Sequence, residues 1–170
     1  MIRQYSLQGI ILFLFFCAGF SWNGSYAQAS KQQRDSLKEV NVQNWLESGQ
    51  FQFVAQNAVP MNGRTRLLTT EYDLGIRKDQ VLASLPYFGQ AYSVNIGQSN
   101  GGIQFKSSVF EYDKVAAKKG GWDITIKPKD VKEDVYRLFL HVSKSGFSSL
   151  QVSCNNRQPI TFNGYIKDLK

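Results

Sequence analysis

The fold is decided by the stretch YRLFLHV at residues 136–142, which is followed after a short separator by SSLQVSC at 148–154. Apolar side chains occupy alternate positions in both runs, as in β-strands that have one apolar face. The separator Lys144-Ser145-Gly146 is turn-forming, so the two runs predict an antiparallel hairpin. Phe139 points away from Leu138 and Leu140, which predicts that its strand is covered on both faces.

The same alternation extends in both directions from this hairpin. The flanking strands are indicated by alternating apolar residues at 122–126 and 160–166, and earlier ones by similar patterns at 51–55, 72–76, 81–85, 103–105 and 109–115. A turn or bulge near Ser107-Ser108 accounts for a change of phase between the last two of these. We therefore predict a mainly β fold, an antiparallel meander of about seven to nine strands in a sandwich or partly closed barrel. Residues 51–170 form this single β domain.

The N-terminal region has two predicted parts. Residues 1–29 contain Arg3, a short apolar run at 10–20 and the small residues Ala27 and Ala29, a pattern typical of a cleaved signal peptide. The run is shorter than the roughly 20 residues that span a bilayer, so we expect no transmembrane segment in the mature chain. Residues 30–50 predict one helix, with Gly49 at its C-terminal cap. We expect an exported protein, in the periplasm or at the outer membrane or cell surface.

The net charge indicates which classes of partner to expect, and the cysteine content indicates whether a disulfide can form. The chain has 20 basic and 13 acidic residues, and loss of Arg3 with the signal leaves 19 against 13, a net charge of +6. This excess favours encounter with anionic lipid or glycan. Nucleic acid is not an expected partner outside the cytoplasm. Cys154 is the only cysteine after residue 29, so we expect no internal disulfide and, from its phase, a buried thiol.

No catalytic motif is present in the sequence. The single histidine, His141, rules out a multi-histidine metal site, and no phosphate-binding loop, nucleophile elbow or EF-hand loop occurs. We therefore expect no catalytic residue, metal or cofactor. Two carboxylate pairs, Glu71 with Asp73 and Glu111 with Asp113, leave a carboxylate-based hydrolase as an alternative, although such spacing is also typical of a solvated strand face.

Lysines bracket the strand that begins at Trp122. These candidates for contact with an anionic surface are Lys114, Lys118, Lys119, Lys127, Lys129 and Lys132. Lysines at hairpin ends also keep a sheet soluble and its edges unpaired, so both interpretations stay open.

The segment Leu85–Tyr92 is unusual for a turn because it places three aromatic residues around a proline and a glycine. Tyr87, Phe88 and Tyr92 either fold inward to plug one end of the β layer or bind a ligand or partner. We take these three residues, with Arg64, as the candidate binding residues.

Four motifs in order resemble a family of exported bacterial proteins, the domain of unknown function 4251. They are Asn62-Gly63-Arg64 with Leu68–Leu74, Leu85–Tyr92, Gly101–Phe105, and Asn156–Ile160 with Phe162 and Gly164–Ile166. Gln90 stands where an arginine is common in the family, and the lipobox cysteine of some members is missing. The resemblance implies an envelope or secreted protein of Gram-negative bacteria and supplies no catalytic residues.

Together these observations favour a non-enzymatic binding module that uses the aromatic loop to take a hydrophobic small molecule or an envelope protein. The alternatives are a structural or assembly protein of the envelope that contacts anionic lipid or glycan, and the carboxylate-based hydrolase.

Overall fold

The computed structural model describes residues 25–90, 101–131 and 136–169. Residues 1–24, which include most of the predicted signal peptide, lie outside the described residues, as does Lys132. The chain divides into two units, Met1–Ser36 and Leu37–Lys170. All strands belong to the second unit.

The helix, α1, spans Ser25–Ser48 and so begins earlier than predicted. It ends as the sequence predicts, because Gly49 adopts a left-handed conformation with φ of 65°. The Gln50 N–H donates to the Trp45 carbonyl across this turn, at 3.4 Å, which closes the last turn of the helix.

Nine strands follow the helix in the described part of the chain. They are β1 (Phe51–Pro60), β2 (Arg66–Ile76), β3 (Val81–Leu85), β4 (Ile103–Ser107), β5 (Phe110–Ala116), β6 (Trp122–Pro128), β7 (Arg137–Val142), β8 (Phe147–Ser153) and β9 (Ile160–Lys167). Neighbouring strands of the sheet are antiparallel, in the order β4-β3-β2-β1-β9-β8-β7-β6-β5. The predicted fold class is confirmed: one helix and a nearly closed, barrel-shaped antiparallel sheet.

The first strand pairs with the last in the middle of the sheet, and this pairing joins β1–β4 to β5–β9. β1 runs beside β9 from Gln52 opposite Lys167 to Pro60 opposite Ile160, with a bulge between Ala55 and Asn57. Gly164 lies opposite Ala55, and a β-carbon there would collide with the Val54 carbonyl oxygen. Only glycine permits this close approach of the two backbones.

The core lies inside the sheet, where the alternating apolar side chains of the strands meet. Fully buried side chains include Phe53, Leu74, Ile124, Leu140 and Phe162, from five different strands. Val42 and Leu46 of α1 join the same cluster, so the second half of the helix covers apolar surface of the sheet. Lys144 in the β7–β8 turn pairs with Glu39 of the helix at 2.7 Å.

A corner between β4 and β5 separates the two edge strands of the sheet. It falls at Ser108-Val109, where the sequence predicts a turn or bulge. The Asp130 carboxylate accepts hydrogen bonds from the Ser107 hydroxyl and from the backbone N–H groups of Ser108 and Val109, at 2.5, 2.8 and 3.2 Å. These donors lower the pKa of Asp130, first through the Ser107 hydroxyl. One acidic side chain therefore fixes the bend.

Two sequence-based expectations need correction. Phe139 is 41% exposed, so β7 is covered by core on one face only and its other face is open. Cys154 lies just beyond the end of β8 and is partly rather than fully buried, since the strand that would carry it inward ends at Ser153.

Candidate functional site

The aromatic loop follows β3, and its described part is residues 86–90. Tyr87 connects this loop to the segment between β8 and β9. The Tyr87 hydroxyl lies 2.9 Å from the Gln90 carbonyl and 3.1 Å from the Gln158 carbonyl. The Arg157 guanidinium lies over the Tyr87 ring, 5.1 Å from its centre. The Gln158 N–H also donates to the Gln90 carbonyl at 3.2 Å. Tyr87 therefore ties the aromatic loop to the β8–β9 segment.

Arg157 extends this attachment to the start of β4. Its Nη1 donates to the carbonyls of Gly101 and Gly102, both at 3.1 Å. The same side chain thus holds two chain segments, the aromatic loop and the residues that lead into β4.

Phe88 occupies a different position from Tyr87. It is half-buried, packs against the core on one side and lies under the Arg66 guanidinium, which is 4.7 Å from the ring centre. The ring borders a cleft of about 240 Å³. The cleft is lined by Pro60, Asn62, Gly63, Arg64, Arg66, Phe88, Gly89, Gln90 and Gln158.

The lining of this arginine cleft is cationic. Arg64 and Arg66 are both exposed, no acidic residue lines the cleft, and neither arginine makes a salt bridge within the described part of the chain. Gln90 and Gln158 supply amide groups beside them. Such a set of donors suits an anionic group, and Phe88 offers an apolar surface next to it.

The structure thus separates the four residues that the sequence singles out. Phe88 and Arg64 share one cleft, Tyr87 faces the β8–β9 segment, and Tyr92 lies outside the described residues. Sequence reasoning missed Arg66, which closes over Phe88. The only hint was its place two residues after Arg64 at the start of a strand.

The predicted lysine rim is not one surface. Lys118 and Lys119 lie in the β5–β6 turn, whereas Lys127 and Lys129 lie at the far end of β6, roughly 20 Å away at the rise of a β-strand. Both members of the second pair contact Glu111, at 3.1 and 2.8 Å.

Lys114 belongs to neither pair. It shares the core-facing phase of β5 with Phe110 and Tyr112, and it is partly buried. The exposed lysines without an ion pair among the described residues of this region are therefore Lys118 and Lys119.

Of the two carboxylate pairs, Glu71, Glu111 and Asp113 occupy exposed strand positions and Asp73 is partly buried. Lys167 contacts Glu71 at 2.8 Å, and its hydrogen bond lowers the pKa of that carboxyl. Lys129 and Lys127 lower the pKa of Glu111 in the same way. Asp73 accepts a hydrogen bond from the Gln52 amide at 2.6 Å. A general acid needs the opposite shift, so these contacts favour a structural role.

His141 has a carboxylate partner in the structure, although the sequence analysis named none. Its Nδ1 lies 2.6 Å from the Asp123 carboxylate on the neighbouring strand, and both side chains are partly exposed on the outer face of the sheet. The pair was missed because the residues are 18 positions apart. The signal was available in the hairpin register, which places Asp123 directly opposite His141.

Within the described residues, no cluster of three metal-binding side chains occurs. No helix among those residues is long and apolar enough to cross a membrane.

The fold and the cleft define a mainly β protein built on one nearly closed nine-stranded sheet. The chain belongs to the family described as a domain of unknown function, DUF4251, whose model matches residues 33–166. A similar solved structure is the crystal structure of a DUF4251 family protein from Bacteroides eggerthii DSM 20697. The two chains share 16% sequence identity with a TM-score of 0.62, over 81% of this chain and 91% of the other. At this identity the likeness shows the fold. A search of curated proteins finds no match.

Proposed function

We propose that this protein is a non-enzymatic, exported binding module that takes a small anion, or the anionic end of a larger molecule, in the arginine cleft. The observation that carries the proposal is that two exposed arginines, of which Arg66 covers the Phe88 ring, share a cleft that no acidic residue lines. Guanidinium groups bind carboxylates and phosphates through paired hydrogen bonds, which suits this chemistry.

The size of the cleft limits the ligand. At about 240 Å³ it is smaller than the 300–1,000 Å³ typical of sites for drug-sized molecules. A ligand would therefore place its charged head in the cleft and leave any larger body outside it. The sequence suggested a hydrophobic ligand for the aromatic loop. In the cleft, the apolar surface open to such a ligand is limited to Phe88 and the neighbouring Pro60.

The proposal can be tested by calorimetric titration of the exported protein with benzoate and with inorganic phosphate. We expect binding that weakens with salt and that Arg66→Gln reduces about tenfold, since one charged hydrogen-bonding group is worth about 1.5–3 kcal/mol. Arg77→Gln serves as the matched control because Arg77 is an exposed arginine in the β2–β3 turn, outside the cleft. Equal loss in both variants, or no binding of either anion, would contradict the proposal.

A second candidate function is contact with an anionic envelope surface through Lys118 and Lys119. It is favoured by their exposure in a turn, where no ion pair with a described residue offsets them. The two candidates make different predictions, because the arginine cleft recognises a single anionic group and the lysines need a charged surface.

A further inference from the structure

The outer face of strands β5–β9 carries a row of polar side chains. Asp123 lies directly opposite His141, His141 opposite Ser149, and Ser149 opposite Asn163. Residues in such cross-strand positions have their β-carbons about 5 Å apart and point to the same side of the sheet. The four side chains therefore form a continuous polar row across four strands. We call this set the polar row.

Aromatic side chains flank the polar row on both sides. Phe139 is two residues before His141 on β7 and is 41% exposed, while Phe147 is two residues before Ser149 on β8 and is 66% exposed. Because β7 and β8 are antiparallel, the two rings lie on opposite sides of the row. Tyr165 is directly opposite Phe147 on β9. At the rise of a strand, each flank is about 7 Å from the row.

We propose that this outer face binds a neutral glycan chain. A sugar ring presents an apolar face of C–H groups and a rim of hydroxyls, so it needs an aromatic surface and hydrogen-bonding groups side by side. An aromatic face carries partial negative charge that attracts C–H groups, and a carboxylate, an imidazole, a hydroxyl and an amide stand between the two flanks. The distance of about 13 Å between the flanks spans more than one sugar ring.

The charge of this face selects a neutral ligand. Although the whole chain carries a net charge of +7, no lysine or arginine occurs on the outward positions of the rows concerned. These rows contain Phe139, His141 and Phe147, and the nearest cations on the same face lie at their borders: Arg137 is two residues before Phe139 on β7, and Lys167 is two residues after Tyr165 on β9. Acidic groups on the face repel an anionic polymer and accept hydrogen bonds from sugar hydroxyls. The outer face and the arginine cleft therefore suit different ligands.

The contact between Asp123 and His141 prepares the row for binding. It uses Nδ1 of the imidazole at 2.6 Å, so Nε2 is the ring nitrogen that can meet a sugar hydroxyl. Holding the ring in place before binding lowers the entropy cost of ordering it. The strands beneath are paired on both sides, so their backbone N–H groups are used within the sheet and do not form an oxyanion hole. The arrangement is suited to binding rather than to catalysis.

Affinity electrophoresis of the exported protein in native gels tests this proposal. The gels would contain a neutral polysaccharide (amylopectin, xyloglucan or mannan) or an anionic one (polygalacturonate or dextran sulfate). We expect retardation by at least one neutral polysaccharide. Phe147→Ala should weaken it about tenfold, and His141→Ala should weaken it to a smaller extent. Met61→Ala removes a side chain that is 69% exposed in the β1–β2 loop and should leave retardation unchanged.

Other outcomes would overturn the proposal. Retardation by the anionic polysaccharides alone, removed by Arg66→Gln, would place polysaccharide binding at the arginine cleft. Absence of retardation in every neutral gel would reject a glycan, and a dimer that Phe147→Ala converts to a monomer would assign the face to a second copy of the chain. Circular dichroism of each variant distinguishes loss of binding from loss of the fold.

Discussion

Tyr87 holds the aromatic loop against the β8–β9 segment through both its hydroxyl and its ring. The hydroxyl reaches two backbone carbonyls, and Arg157 covers the ring. We therefore expect the hydroxyl of Tyr87 to contribute to the stability of the fold, which the hydroxyl of a fully exposed tyrosine would not do.

We expect Tyr87→Phe to lower the free energy of unfolding by about 1 kcal/mol, because it removes the hydroxyl that bridges the two carbonyls. Urea denaturation measures this change. Tyr165→Phe is the matched control, since no hydrogen bond of the Tyr165 hydroxyl occurs among the described residues. An equal effect of both substitutions would contradict the role given to Tyr87.

Tyr112 has the opposite property. Its hydroxyl is buried and finds no hydrogen-bond partner within the described residues, and burial raises its pKa to about 12. We expect Tyr112→Phe to raise the free energy of unfolding by about 1 kcal/mol, since the variant buries no unpaired hydroxyl. A urea midpoint below that of the unchanged protein would show that this hydroxyl is stabilising.

Asp130 makes the corner between β4 and β5 sensitive to acid. Because its pKa is lowered in the folded state, its contribution to stability is present above the unfolded pKa of about 3.9 and is lost as the pH falls through the folded value. We expect the stability of Asp130→Asn to depend less on pH between neutral and acid conditions. Asp113→Asn, which removes an exposed carboxylate from β5, controls for the change of one charge. Parallel pH curves for Asp130→Asn and the unchanged protein would contradict this role.

At the level of elements, the pairing of β1 with β9 joins the strands β1–β4 and β5–β9 into one sheet. This contact joins residues more than a hundred positions apart, from Gln52 opposite Lys167 onward. The close approach at Gly164 is the tightest point of the contact, and it depends on the missing side chain.

We expect Gly164→Ala to lower the free energy of unfolding by about 3 kcal/mol, because the new methyl group meets backbone that must shift. Gly101→Ala is the matched control, since a β-carbon at Gly101 meets nothing within 4 Å. Thermal unfolding of the two variants compares them directly, and similar melting temperatures would show that the β1–β9 contact yields easily.

The sequence predicts the elements of this fold better than their arrangement. Alternation at Ile124-Thr125-Ile126 reports which side chains face inward, and it does so locally, so the strands could be placed. The pairing of β1 with β9 depends on contacts between residues that are distant in the sequence, and a local pattern does not contain this information. Phe139 shows the same limit, because alternation identifies an outward position without showing whether anything covers it.

The candidate site follows the same logic. The unusual composition of the aromatic loop was visible in the sequence, and it led to Phe88 and Arg64. Arg66 and Phe88 are 22 positions apart, and Asp123 and His141 are 18 positions apart and are brought together by the pairing of β6 with β7. Lys127 and Lys129 had no visible partner in the sequence, because Glu111 lies on the neighbouring strand β5 and is 16 or more positions away.

For the whole molecule, positive charge is unevenly placed. The arginine cleft and the β5–β6 turn carry exposed cations, whereas the outward rows of β5–β9 that contain Phe139, His141 and Phe147 carry none. We therefore expect each surface to suit a different kind of partner, and a change in one to leave the others intact.

We expect the protein to bind vesicles of phosphatidylglycerol and phosphatidylcholine through Lys118 and Lys119 and to bind pure phosphatidylcholine vesicles much less. Each lysine near an anionic surface contributes about 1 kcal/mol, so the double substitution Lys118→Gln with Lys119→Gln should lower the bound fraction at least about tenfold in a sedimentation assay. Binding should also decrease as salt shortens the screening length from about 8 Å at physiological ionic strength to about 3 Å at 1 M.

The matched control is Lys127→Gln with Lys129→Gln, because Glu111 already offsets these two charges. Equal loss in the two double variants would mean that only net charge matters, and the β5–β6 turn would then have no special part in meeting the membrane.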